Sequence, residues 1–202
     1  MERTVQKKTR GRPRSFDCDA VLDRAVRVFW QHGYDGASLD DLTKAMGIGR
    51  PSLYAAFGDK RGLFLRVLER YGDTIGRDGV EALAAPGIRD ALKGMLGRAL
   101  DAQTARDCPS GCLVASSVGA ALGTVEGVDE VLGAMSCGTE TVLADRMAAA
   151  IEAGELPADF PLRERARLFN DLMHAQARRA RVGEDAAALR TEIASKIDAV
   201  LR

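Results

Sequence analysis

The sequence predicts an all-α fold of about nine helices, with three short helices in helix-turn-helix order at the head and a longer helical body behind them. Three observations predict it. Apolar residues recur at i, i+3, i+4 and i+7 along most of the 202 residues, the period of helices packed on one side. No stretch reads convincingly as a strand. Between the stripes stand cap and breaker residues, among them Gly33, Gly47-Ile48-Gly49, Asp59, Gly154-Glu155-Leu156-Pro157 and Gly183, which end one helix and admit the next.

The first helix is expected over residues 17–32, with Val21, Leu22, Ala25, Val26, Phe29 and Trp30 on its buried side and Gly33 as its stop. Ser38 with Asp41 three positions on forms the Ser-x-x-acid pattern that satisfies orphan helix donors. Leu39, Leu42 and Met46 then make the stripe of a second helix. After Gly47-Ile48-Gly49, Pro51 suits the first helical position, and Leu53 and Phe57 anchor a helix of about two turns. Its outer side would present Arg50, Ser52 and Tyr54, a buried face backed by a polar one, as a DNA-reading helix requires. Asp59 caps a fourth helix with Leu63, Phe64, Val67, Leu68 and Tyr71 inward. Further helices are expected at 88–105, 109–122, 128–153, 162–181 and 186–201. The last two are amphipathic and close in sequence, so they form an antiparallel hairpin that packs on its own domain or on a second molecule.

Formal net charge is zero, but its distribution is uneven. Residues 1–14 hold six basic side chains (Arg3, Lys7, Lys8, Arg10, Arg12, Arg14) against the single acid Glu2. A basic arm on an otherwise acidic body suits a polyanion met at one end, and Arg10, Arg12 and Arg14 around Gly11-Pro13 suit a narrow minor groove. The other reading of this arm is a solvated tail. No apolar run reaches the roughly 18 residues that span a membrane, and the basic start lacks a following apolar segment; the expected compartment is the cytoplasm. Cys18, Cys108, Cys112 and Cys137 have no metal-finger spacing, and His32 and His174 stand apart, so neither a metal nor a cofactor is expected.

The combination of Phe29, Gly33-Tyr34, Ser38-Leu39-Asp40-Asp41-Leu42, Ala45-Met46-Gly47-Ile48, Pro51-Ser52-Leu53-Tyr54, Phe57, Lys60 and Leu63-Phe64 resembles the TetR family of transcriptional regulators over the first third of the chain. The resemblance implies a homodimer that binds a palindromic double-stranded DNA operator, most often as a repressor, and is released by a small-molecule inducer. It implies a basic arm (1–14), a helix-turn-helix DNA-binding domain (15–62) and a helical ligand-binding and dimerisation domain (63–202). Carried over by position, Ser38 and Lys60 would hold phosphate, and Arg50, Pro51, Ser52 and Tyr54 would face the groove, with Gly49 allowing close approach. Ala55-Ala56 stands where many relatives carry larger groups, which shortens the list of base-reading side chains. The last two helices would supply the interface, through Leu168, Leu172, Leu189, Ile193, Ile197 and Val200.

For the effector, the family's layout and the apolar faces nominate Met95, Leu96, Cys112, Ser116, Met135, Phe169, Met173 and His174. Cys108 is expected at the start of the 109–122 helix with Cys112 one turn on; a thiol at such a position favours the thiolate. This keeps open a thiol-based redox or electrophile sensor, beside the plainer reading of Cys112 as a small packing residue. A DNA-binding architectural protein without an inducer is the third reading. An enzyme is not expected: there is no phosphate loop, no paired-His motif, and no base near either cysteine except the remote His174.

Overall fold

The computed structural model describes residues 17–202, without the side chains of 118–120. Arg10, Arg12 and Arg14, and the basic arm that they belong to, lie outside the described residues. Among those described there are nine helices and no strand. They are α1 (Cys18–Gly36), α2 (Leu39–Met46), α3 (Arg50–Phe57), α4 (Lys60–Tyr71), α5 (Ile88–Gln103), α6 (Leu113–Ala120), α7 (Val128–Glu152), α8 (Leu162–Arg181) and α9, the last in two segments (Ala186–Thr191 and Ile193–Val200). The axis of α4 runs on through a π turn (Gly72–Gly76), a further helical turn (Arg77–Glu81) and a 3-10 turn (Ala82–Ala84).

Local chemistry sets the ends of these helices. Asp17, Ser38, Asp59 and Asp185 cap α1, α2, α4 and α9, each accepting backbone N–H bonds through its side chain. The helical backbone of α1 breaks at Gly33, whose φ of 70° is left-handed, although hydrogen bonding continues to Gly36. Gly47, at φ 69°, closes α2. The π turn in α4 coincides with Thr74, whose hydroxyl donates to Arg70 O at 2.8 Å and competes with the backbone ladder. At the far end of that extension the Arg146 guanidinium, reaching over from α7, donates to the carbonyls of Leu83, Ala85 and Pro86.

Two cores result. The head core joins α1–α4 through Phe29, Trp30, Leu42, Met46, Leu53, Leu63 and Phe64, all 1% exposed or less, and takes in Leu113 of α6 and Val128 and Leu132 of α7. The body core joins the α4 extension, α5, the later part of α7, α8 and α9 around Leu92, Leu96, Leu100, Leu143, Met147 and Phe169. Charged groups add further ties: Arg70 makes a two-pronged bond to Asp23 (2.7 and 3.0 Å), and Arg181 donates to Ser110 O and Gln31 O at 3.1 Å.

Two expectations need correction. The helix placed at 109–122 begins only at Leu113, so Cys112, not Cys108, precedes it. Gly111 adopts φ 88° and its N–H bonds back to Gln103 O at 2.8 Å, which turns the chain before a helix starts. The α9 stripe of Leu189, Ile193, Ile197 and Val200 is buried within the chain's own body core against α5 and α8. These four are therefore not the residues that α9 would show to a partner. Leu168 and Leu172 are half-buried against the same core.

Candidate nucleic-acid interface and cavity

The reading face is built by α2, the Gly47–Gly49 turn and α3. Ser38 Oγ accepts the N–H of Asp41 (3.0 Å) and donates to its carboxylate (2.5 Å), which holds Asp41 below the usual carboxylate range. Gly49 is the N-cap of α3, with Arg50 and Pro51 as its first two residues. Leu53 is fully buried, and Arg50, Pro51, Tyr54 and Ala55 are exposed with Gly49, while Ser52 is half-buried. Tyr54 keeps 45% of its surface open, so its ring is not packed beneath the helix. Arg50 is held by Asp40 of α2 at 2.8 Å, whose hydrogen bond and charge raise the guanidinium pKa further. That pair was not expected from the sequence; an acid in the first turn of α2 and a base opening α3 were its only signal.

At the other end, Lys60 opens α4 with its ammonium 4.6 Å from the centre of the Tyr34 ring, a cation–π placement. Asp59 Oδ1 accepts Gly62 N at 2.7 Å. Gly62 has no room for a side chain: a Cβ there would lie 2.1 Å from Phe57 O. The end of α3 and the start of α4 are thus locked together, and α3 is held at a fixed angle on the head.

A second feature lies where the two cores meet. A cavity of about 550 Å³ is walled by α4 with its extension, α5, α6, α7 and α8. Of the nominated ligand residues, Met95, Cys112, Met135, Met173 and His174 line it, while Leu96, Ser116 and Phe169 do not. Leu96 and Phe169 are wholly enclosed in the body core, and Ser116 turns its hydroxyl back to Cys112 O at 2.8 Å. Sequence reasoning missed Tyr71, Gln103, Ser136, Thr139 and Asn170, which also line the cavity. Polar Gln103 and Asn170 on otherwise apolar helix faces were the available sign. Tyr71 Oη donates to Cys112 Sγ at 3.3 Å, and burial keeps the phenol protonated by pushing its pKa up. The same ring meets Trp30 edge-on at 5.2 Å, so one residue touches both the cavity and the head core. Burial holds the His174 imidazole below its ordinary pKa. Among the described residues no group of three or more His, Cys, Asp or Glu is placed to hold a metal ion, and no helix is long and apolar enough to cross a membrane.

Residues 21–67, the head, match the family described as bacterial regulatory proteins, tetR family. The HTH-type transcriptional repressor ComR of Escherichia coli K12 is 43% identical over 110 residues, 54% of this chain and 52% of that protein. An uncharacterized HTH-type transcriptional regulator of Bacillus subtilis, YezE, is 36% identical over 108 residues, 53% of this chain and 56% of that one. The match therefore spans about half the length of these curated relatives. Among solved structures, the TetR family transcriptional regulator CifR, a cysteine mutant complexed with 26-bp double-strand operator DNA, superposes with a TM-score of 0.86 at 35% identity. That likeness covers 93% of this chain and 99% of CifR. From the matched head and a shared fold along nearly its whole length, the chain belongs to the TetR family of bacterial regulatory proteins, which are transcriptional regulators and not enzymes.

Proposed function

We propose that this protein is a repressor that binds a palindromic operator as a homodimer and is released when a small molecule enters the cavity between the two cores. The observation that carries the reading is the face of α3, where Arg50, Pro51 and Tyr54 stand exposed on a helix fixed from behind by Leu53 and by the tight approach at Gly62. A helix presented in this way fits a major groove, and Arg50 suits the bidentate contact with guanine. Ser38 and Lys60 flank it as phosphate contacts. Ser38 and Arg50 already hold carboxylates and Lys60 a ring, so DNA phosphate and base oxygens would replace partners that the free head supplies itself. Support comes also from CifR, solved on operator DNA, and from the repressor ComR.

A dimer through α8 and α9 would use Leu168 and Leu172, together with the exposed small side of α9 at Ala187, Ala188, Thr191 and Ala194. Small side chains let two helix pairs approach closely about a two-fold axis. The cavity reaches the head through Tyr71 and the π turn that follows it, a route by which an occupant would shift α4 and with it the spacing of two reading helices. The division into arm, head and body fits this scheme, with the cavity at its inner boundary. The test is a mobility shift on DNA flanking the gene. A palindrome retarded by purified dimer, and released by one compound of a library, is the expected result. Affinity indifferent to every compound would favour an architectural protein instead.

A second reading has its own observation, the Tyr71–Cys112 hydrogen bond inside the cavity. Here an oxidant or electrophile modifies Cys112 and triggers release. Intact-mass analysis after a mild maleimide dose decides it: loss of both the adduct and the DNA response in Cys112→Ser supports it, and an unmodified Cys112 removes it.

A further inference from the structure

Asn170, 3% exposed, is the most enclosed polar residue on the cavity wall. Its orientation follows from its neighbours. The Asn170 amide Nδ2 donates to Ser136 Oγ at 3.0 Å, and the Ser136 hydroxyl points to the Glu140 carboxylate at 3.5 Å. With its proton given to Glu140, Ser136 Oγ is left to accept from Asn170. That fixes the NH2 of Asn170 toward α7 and leaves its Oδ1 without a partner among the described residues.

Most other polar groups around the cavity are already engaged or unsuited to a charge, the exception being the neutral Gln103 Nε2 donor, which has no partner among the described residues. Gln103 Oε1 accepts from Gln176, Tyr71 Oη donates to Cys112, and Thr139 Oγ1 donates to Met135 O. His174, one turn along α8 from Asn170, has its charged form disfavoured by burial. The charged residues of the lining besides it are Asp73 and Arg77, opposite in sign and both exposed on the α4 extension. Met95, Ala99, Met135, Val114 and Met173 supply an apolar wall, in which the methionines adapt readily to an occupant's shape. The volume falls in the range of about 300–1,000 Å³ that small-molecule pockets occupy.

We infer that the cavity takes an uncharged, mainly apolar molecule bearing a hydroxyl group, an alcohol or phenol, whose O–H donates to Asn170 Oδ1. This deepens the effector reading above and rests on it. An anion meets a carboxamide oxygen there, while Arg77, the cation of the lining, stands exposed four residues from Asp73; a wholly apolar molecule leaves that oxygen unmatched, which is costly in a buried site.

Calorimetry on the DNA-free protein with 4-ethylphenol, 4-ethyltoluene and 4-ethylbenzoate tests the inference. The phenol is expected to bind at least tenfold more tightly than the benzoate. The preference for phenol over the near-isosteric toluene is expected to fall about tenfold in Asn170→Leu, the equivalent of one buried hydrogen bond. Ser136→Ala, a small truncation that frees the amide to rotate, should lower the same preference and serves if Asn170→Leu fails to fold. Benzoate bound as tightly as phenol, a preference unchanged in the variants, or no binding by any of the three would overturn the inference. DNA release by 4-ethylphenol is measured separately. Binding with the expected preference but no release strikes the effector reading and leaves the chemistry of the cavity standing.

Discussion

In the head, Ser38, Arg50 and Lys60 each hold a protein partner (Asp41, Asp40 and the Tyr34 ring), whereas on the cavity wall Asn170 keeps one acceptor unmatched. The head is also filled: Phe29, Trp30, Leu42, Leu53 and Phe64 leave almost no surface open. The cavity is a place where Met95, Met135 and Met173 from three helices fail to meet. A rigid surface prepared for exchange and a void prepared for filling make different demands on the chain. The first is set by neighbours in sequence. The second is set by what distant helices leave between them.

The sharpest way to break this comparison is to empty each core in turn. Phe29→Ala and Phe169→Ala remove wholly buried rings from the head and the body, and each should cost about 3–5 kcal/mol. If the two cores are distinct units, calorimetry of Phe29→Ala will show the head melting early with a separate body transition retained. One transition shifted equally by both substitutions would mean that the cores unfold together. Gly62→Ala comes next. Its Cβ would collide with a backbone oxygen at 2.1 Å, so α3 must tilt, with a loss of about 1–3 kcal/mol and of operator binding beyond what the stability change explains. Unchanged melting and binding would show that the α3–α4 junction gives way freely.

At the reading face, Arg50→Ala should cost roughly 1–3 kcal/mol of operator affinity and relax base preference. Asp40→Ala, which frees the same guanidinium, should tighten binding by a smaller amount. If Arg50→Ala changes neither affinity nor preference, Arg50 serves only to staple α3 to α2. Lys60→Ala tests the exchange at phosphate: the slope of log K against log salt should become shallower by about 0.9 for each phosphate that is no longer neutralised. A slope left as it was would confine Lys60 to its place over Tyr34.

How far each region was legible follows from the same contrast. Ser38 with Asp41, Gly47 at the end of α2 and Asp59 before α4 act within four residues of themselves, and the structure has all three in the expected roles. The apolar stripes gave the inward sides of the helices. A stripe does not say what covers it, and α9 shows the consequence: Leu189, Ile193, Ile197 and Val200 suited a partner molecule as well as α5 and α8, which in fact cover them. Nor does a stripe separate a residue that fills a core from one that edges a void, so Leu96 and Phe169 were nominated beside Met95 and Met173. The late start of α6 depended on the hydrogen bond from Gly111 to Gln103, two turns earlier in the chain and outside the reach of capping patterns around Pro109.

The smallest expected effect concerns the pairing of α8 with α9. Arg179 of α8 binds both Glu184 and Glu192, and Lys196 lies 3.2 Å from Glu192 as well. Arg179, with help from Lys196, draws the Glu192 carboxyl from its ordinary 4.5 down to about 2. A depressed carboxylate stabilises the fold above the unfolded-state value and loses that contribution as pH falls through the folded-state one. Whatever this exposed cluster contributes is therefore fully present above the ordinary 4.5 and disappears toward about 2, and salt should weaken it. Glu192→Gln should lower the neutral-pH melting temperature slightly, leave the value at the acid end of that window unchanged and so flatten the slope between them, and do nothing to the cavity or to the reading face. An acid slope identical in the variant would assign the window to other carboxylates, of which Asp198 of α9, drawn down by Arg89 of α5, is the next to substitute.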